Sequence, residues 1–298
     1  MFEEGQLYSP VTTGDDGEVK VHLAPDHPGF ADEAYRRRRN DIARHALEWK
    51  PGQPAPDVGY TDVEHDVWRT VCRELRPKHE KLAIREFVEA LDRLALPTDY
   101  VPSLDEVTEH LQPLTGFRYV PAPGLVPLRE FYGSLSDRVF HSTQYVRHPA
   151  QPLYTPEPDI IHEVIGHGHL LATDTFSELH RLTGEATHRL EKTENLIFLS
   201  KVFWFTVEFG IVHEEGEIRA YGAGILSSYG EIDEFRDMQH RPIDLAEMGT
   251  AEYDITHYQP VLYLAESMDE VREVVGGFFA TCTDESIEEM RREQHVLA

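Results

Sequence analysis

Apolar residues return every three or four positions along most of this chain, the spacing that lines up one buried face of a helix. On that pattern helices are expected from Ala31 to Trp49, Thr61 to Leu75, Ala83 to Leu94, Ser103 to Leu111, Leu128 to Leu135, Asn195 to Val212 and Asp269 to Phe279. Two of the starts carry the chemistry a helix start needs. Thr61 precedes Asp62 and Glu64, and Ser103 precedes Asp105 and Glu106, so a hydroxyl and negative charge meet free backbone N–H groups. Strand-like pieces are few and short: Phe117 to Val120, Glu217 to Tyr221 and Val261 to Leu264. They suffice only for a small sheet, and no regular strand-helix alternation joins them, so the expected fold class is mainly α with a small β element. Pro51-Gly52, Pro54-Ala55 and Pro121-Ala122 mark loops between helices. Residues 1–25 are polar and lack periodicity, which reads as a loosely ordered arm or lid ahead of one domain at 26–298.

Composition narrows the possibilities. The chain has 298 residues, 40% of them hydrophobic, enough for a sizeable core. Its two cysteines, Cys72 and Cys282, are far apart and form no C-x-x-C pair, so neither a disulfide framework nor a zinc finger has a basis. The N-terminus has no basic start followed by an apolar run, and the most apolar stretch, Leu196 to Val212, is interrupted by Lys201 and Glu208. A bilayer span needs about 20 nearly uncharged residues, so a cytoplasmic protein without membrane contact is expected. The net charge of −26, from 54 acidic against 28 basic side chains, excludes nucleic acid as a partner.

The densest chemistry lies in Thr155-Pro-Glu-Pro-Asp-Ile-Ile-His162-Glu163-Val-Ile-Gly166-His167-Gly-His169. A zinc protease helix needs histidines four apart, which project about 40° from each other, whereas five apart projects about 140° on an ideal α-helix. His162 and His167 are five apart, so they share a metal only if the helix ends or distorts between them, and Gly166 is placed for that. The apolar stretch supplies a third candidate, Glu208, a lone carboxylate in Phe203-Trp-Phe-Thr-Val-Glu-Phe209 that needs a cation. Two imidazoles and a carboxylate are the facial triad of non-haem Fe(II) oxygenases, which leaves positions open for O2 and substrate. Histidines satisfied in the core remain the commoner outcome of such spacing, and His169 competes for the ligand role. His180 and His188, eight apart on a polar helical stretch, read as surface residues, and Arg36 to Arg39 as a run paired with the protein's own carboxylates.

A series of ordered motifs then identifies the chain as similar to the pterin-dependent aromatic amino acid hydroxylases, with the short prokaryotic phenylalanine hydroxylases nearest. They include Asp26-His-Pro-Gly-Phe30, Tyr35-Arg-Arg-Arg-Arg39, Thr115-Gly-Phe-Arg118, Arg138-Val-Phe-His-Ser-Thr-Gln-Tyr-Val-Arg147, Tyr154-Thr-Pro-Glu-Pro-Asp159, His162-Glu163, Trp204-Phe-Thr-Val-Glu-Phe-Gly210, Ala220-Tyr-Gly-Ala-Gly224, Leu226-Ser-Ser228 and Gln259-Pro260. The resemblance runs from about Asp26 to Thr283.

That resemblance implies Fe(II) held by His162, His167 and Glu208, with O2 and a tetrahydropterin, tetrahydrobiopterin or tetrahydromonapterin, as co-substrates. Arg147 takes the substrate carboxylate, Asp159 orients it, and Thr155 and Ser227 add hydrogen bonds. Pro158, Trp204, Phe209, Gly224 and Ile255 line the ring pocket. Phe131 stacks on the pterin, Gly124, Leu125, Val126 and Ser200 add contacts, and Glu163 faces pterin and iron. The implied reaction is ring hydroxylation of phenylalanine to tyrosine; phenylalanine 3-hydroxylation and tryptophan hydroxylation are the alternatives, because Ile255 is bulkier than the valine usual in phenylalanine enzymes, and no aspartate stands there for tyrosine. A zinc hydrolase or an inactive metal-binding scaffold is more remote. A single catalytic domain without regulatory domain or tetramerisation tail implies a monomer, served by enzymes that recycle the pterin. Gly168-His169 departs from the family's usual Val-Pro and puts the local loop in question.

Overall fold

The computed structural model describes residues 9–253 and 258–297. Helices carry the architecture: Glu33–Glu48, Asp62–Leu82, Arg85–Leu94, Leu104–Thr115, Leu128–Ser134 and Thr193–Phe203 fall where the periodicity predicts helices, and Asp174–Arg189 and Asp284–Leu297 are long helices beyond those it named. Thr61 and Glu64 close a reciprocal capping box, and the Ser103 side chain accepts from the Glu106 N–H, so both expected starts are capped by the expected hydroxyls. The 62–82 helix runs past the expected end at Leu75 and through Pro77. Burial explains why it continues: Leu75 and His79 are both enclosed, and His79 Nε2 bonds the Leu226 carbonyl at 2.7 Å.

Among the described residues eight short strands accompany the helices: β1 (Val11–Thr13), β2 (Val19–Val21), β3 (Arg118–Pro121), β4 (Val139–Ser142), β5 (Ile211–Glu214), β6 (Glu217–Ala220), β7 (Gln239–Pro242) and β8 (Val261–Ala265). Four of them form a mixed sheet in the order β6-β5-β8-β7, and β3 pairs with β4 in parallel. β5 and β6 are joined by Glu215-Gly216, both with positive φ, as a two-residue hairpin turn requires.

Two expectations need correction. The apolar helix expected to reach Val212 ends earlier: a π-helical turn, Trp204–Glu208, follows the 193–203 helix, and β5 begins at Ile211. Gly210 marks the break. A Cβ there would lie 2.1 Å from the Tyr221 ring and 2.4 Å from the Thr206 carbonyl, so only a bare backbone lets the chain fold back beside β6. The described part of the expected loose arm is instead the β1-β2 hairpin. Val19, Val21 and Leu23 are buried against Ala43 of the first helix, and Asn40 Oδ1 accepts from the Val21 N–H at 2.8 Å.

One apolar core unites most elements, from Trp68 and Phe87 through Phe140 and Phe176 to Phe203, Phe235 and Phe279. No helix among the described residues is long and apolar enough to cross a membrane.

Candidate active site

The expected distortion between the two histidines takes the form of a π-helix over His162–Gly168. Its i→i+5 hydrogen bonding widens the turn, so residues five apart stand nearly above one another. The His162 and His167 rings accordingly lie 5.0 Å apart, at 87° to each other. Gly166 serves packing: a Cβ there would lie 2.7 Å from the Ala223 carbonyl, so its bare face admits the short helix Ala223–Ser227.

The second π-turn, Trp204–Glu208, delivers the carboxylate. Glu208 Oε1 is 2.9 Å from His167 Nε2, and Oε2 is 3.7 Å from His162 Nε2. Donors at right angles around an ion with bonds of about 2.1 Å stand about 3 Å apart, so these spacings suit a common metal. Oε1 is also buried yet accepts no hydrogen bond, an expensive state for a carboxylate that a cation would relieve. Burial pushes the Glu208 carboxyl up, but the neighbouring His167 and His162 outweigh it and bring it down to about 2.

Both imidazoles are fixed from behind. His162 Nδ1 bonds Ser227 Oγ at 2.8 Å, and His167 Nδ1 faces His180 Nε2 at 3.4 Å, which leaves both Nε2 atoms toward Glu208. His180 is therefore no surface residue: it is fully buried, and burial together with His167 holds its pKa down to about 3. His188 is exposed, as expected. His169 turns away from the cavity; its Nδ1 bonds the Ile165 carbonyl at 3.0 Å, and Phe87 meets its ring edge-on at 5.7 Å. A competing carboxylate does exist, since Glu163 offers an oxygen within 4.8 Å of donors from His162 and His167. Burial and the neighbouring Glu208 raise the Glu163 carboxyl well above the ordinary range.

These groups border a cavity open to solvent. On one side Arg147 and Asp159, 3% and 0% exposed, form a fork: Nε to Oδ2 at 3.0 Å and Nη2 to Oδ1 at 2.9 Å. Asp159 also accepts from the Arg147 N–H at 2.8 Å and the His162 N–H at 3.1 Å, tying the arginine to the π-helix. Thr155, Pro158, Trp204, Phe209, Gly224 and Ser227 line the same cavity, with the Trp204 and Phe209 rings 4.6 Å apart. Elsewhere on its wall are Gly124, Leu125, Val126 and Phe131, the last propped edge-on by Phe140 at 5.6 Å.

A sequence profile of the family "Biopterin-dependent aromatic amino acid hydroxylase" matches residues 17–287. The chain belongs to this family. It is 50% identical over 261 residues to the phenylalanine 3-hydroxylase of Streptomyces coeruleorubidus, covering 88% of this chain and 94% of that protein. With the phenylalanine-4-hydroxylase of Bos taurus it shares 41% over 267 residues, 88% of this chain but 59% of the bovine one. Its fold is similar to a Chromobacterium violaceum phenylalanine hydroxylase crystal structure with bound iron(III) and 7,8-dihydrobiopterin: TM-score 0.73, 28% identity, 80% of this chain and 90% of that one.

One expected site residue, Ser200, is not brought together with the rest. Ser200 is buried in its own helix, where its hydroxyl donates to the Ile197 carbonyl at 2.8 Å, and it does not reach the cavity. Ile255 lies outside the described residues. Conversely, His141, Tyr145, Arg39, Glu157 and Glu231 line the cavity without having been singled out as site residues. His141, Tyr145, Arg39 and Glu157 all stand within the motifs that carry the family resemblance, which is the signal that could have found them; Glu231 stands in none. The Arg39 guanidinium bonds Glu157 at 2.6 Å and lies 3.3 Å over the Tyr145 ring. The arginine run thus does pair with an internal carboxylate, but at the wall of the cavity.

Proposed function

We propose that this protein is a tetrahydropterin- and O2-dependent iron monooxygenase that hydroxylates the ring of phenylalanine. The observation that carries this reading is the meeting of His162, His167 and Glu208 at an aromatic-walled cavity that also holds the Arg147–Asp159 fork. Glu208 is taken as the third iron ligand over Glu163 because both its oxygens face the two imidazoles and one of them lacks any hydrogen bond. A ferrous ion held there, beside a tetrahydropterin, supplies the reductive activation of O2 that ring hydroxylation needs.

The chain's own residues account for the rest. Asp159 occupies Nε and one Nη2 position of Arg147, so the remaining guanidinium hydrogens are pre-aimed for an α-carboxylate. Trp204, Phe209 and Pro158 clamp the ring and keep water from it, while Phe131 and the Gly124–Val126 loop hold the pterin. Glu163, whose carboxyl burial and Glu208 raise above the ordinary range, lines the cavity where it would meet the pterin. Ser227 and His180 hold the imidazole ligands in orientation, and Ser227 also lines the cavity where it can meet substrate.

For the ring position, the 50% identity to a 3-hydroxylase against 41% to a 4-hydroxylase favours oxygen entering at the 3-position, so the 3-hydroxylase alternative replaces tyrosine formation as the preferred reading. The same reading places the protein in the cytoplasm as a monomer, with oxidised pterin returned by separate reductases. The test supplies the iron-loaded protein with tetrahydropterin, O2 and phenylalanine, tyrosine or tryptophan, and identifies products by mass and retention time. 3-Hydroxyphenylalanine is expected from phenylalanine; tyrosine as sole product rejects the ring position, and no hydroxylation of any of the three rejects the function.

A further inference from the structure

Resting on the reading of the cavity as an amino acid site, we propose that Glu231 is the acceptor for the substrate's α-ammonium group. A free amino acid enters as a zwitterion, and the fork at Arg147 answers only its negative end. Taking its positive end out of water requires an acceptor, preferably a carboxylate without a cation of its own.

Four glutamates line the cavity, and three are otherwise engaged. Glu157 is held by Arg39 at 2.6 Å and His27 at 3.3 Å. Glu208 faces the two imidazoles, and Glu163 clusters with the same pair. Glu231 is 8% exposed, and among the described residues no cation lies against it. The Gln259 N–H donates to its Oε1 at 3.3 Å and the Ser228 hydroxyl bonds the same carboxyl, two neutral donors that leave its charge without a cation. An enclosed carboxyl so poorly answered is expensive to ionise, and burial accordingly raises its pKa to about 7.

Its position suits the polar end of the ligand. Glu231 is beside Tyr258, which with Tyr154 lines the cavity while remaining 41% and 44% exposed, so this is the mouth. The ring-clamping Trp204 reaches Glu231 through Gln259, whose Oε1 accepts from the indole N–H at 3.3 Å while its backbone N–H donates to Glu231, and Thr155 and Arg147 line the same cavity. A ligand with its ring against Trp204 presents its backbone to this end.

The discriminating experiment compares phenylalanine with 3-phenylpropanoate, which keeps ring and carboxylate but lacks the ammonium group. Iron-loaded wild type, Glu231→Gln and Glu231→Asp are assayed for KM, kcat and binding by calorimetry. Charged hydrogen bonds contribute enough that Glu231→Gln should raise KM for phenylalanine about 10–100-fold, with a much smaller fall in kcat. Its affinity for 3-phenylpropanoate should stay within about twofold or improve, because a stranded carboxyl no longer faces the amine-free end. Glu231→Asp should recover part of the loss. If Glu231→Gln weakens both ligands equally, or neither, the assignment of Glu231 is overturned while phenylalanine hydroxylation by the wild type stands. A wild type that binds neither phenylalanine nor another aromatic amino acid overturns both readings.

Discussion

Replacing Asp159 by alanine should damage stability and substrate binding together, because the fork with Arg147 is buried on both sides. Asp159→Ala removes three hydrogen bonds to Arg147 and one to the His162 N–H, and strands a guanidinium that is 3% exposed. Breaking one partner of a buried ion pair costs about 3–5 kcal/mol, a large part of the roughly 5–15 kcal/mol that holds a domain folded. At about 2 °C per kcal/mol for a chain of this size, Tm should fall by about 6–10 °C. The assay is urea and thermal unfolding of Asp159→Ala, Arg147→Met and the double variant. Because most of the loss comes from the unpaired cation, the double variant should be more stable than Asp159→Ala, with a coupling of about 1–3 kcal/mol. Binding must separate from folding: well below the Tm, both single variants should lose amino acid affinity while iron content stays near one per chain. A Tm change under about 2 °C for Asp159→Ala, or strictly additive effects in the double variant, would refute the view that this carboxylate compensates the arginine.

Other perturbations test the remaining contacts. His162→Ala and Glu208→Ala should each abolish stoichiometric iron by elemental analysis and lose hydroxylation with it; a Glu208→Ala protein that retains iron and turnover rejects the ligand assignment. His180→Phe should keep the fold but weaken iron about 10–100-fold, read by competition with a chelator, because the imidazole behind His167 is lost. Glu157 gives a pH signature: burial opposes ionisation, but Arg39 and bonds from His27 hold its pKa at about 2 against 4.5. A depressed folded pKa contributes stability that is present above about 4.5 and lost as pH falls toward about 2, here about 3 kcal/mol. The urea midpoint should therefore drop over that window in the wild type and drop much less in Glu157→Gln.

How much of this was legible in the sequence follows from which periods the side chains obey. Helices whose apolar residues keep the 3.6 period, such as 62–82 and 104–115, are readable to their capping hydroxyls. The β1-β2 hairpin is not, because three-residue strands give too short an alternation to rise above a polar background, even with Val19 and Val21 buried about an exposed Lys20. His180 hides for a different reason. Its neighbours Glu178, Arg181 and Glu185 form a surface ion network on the outer face of the same helix, so a polar context surrounds a residue pointing the other way. Ser200 fails in the opposite sense: a serine within an apolar helix can satisfy its hydroxyl on the preceding turn, and here it does.

The metal candidates were visible as residues but not as geometry. Glu208 stands out because a lone carboxylate in an apolar stretch demands a partner, whereas five-residue spacing between histidines looks wrong on an α-helix until the helix is widened. The widened turn at 162–168 and that at 204–208 face each other across the site, and each leaves regular geometry where a polar group must be aimed. Nothing in local propensity asks for either. Bulky apolar residues surround both segments, and their burial stabilises the irregular turns against the regular helix that propensity alone would favour. Of the three π-turns among the described residues, Val271–Gly276 does not line the cavity, so it is the convergence of the other two on one point that speaks for a site, and the i,i+5 histidine pair was the part of that evidence written in the chain.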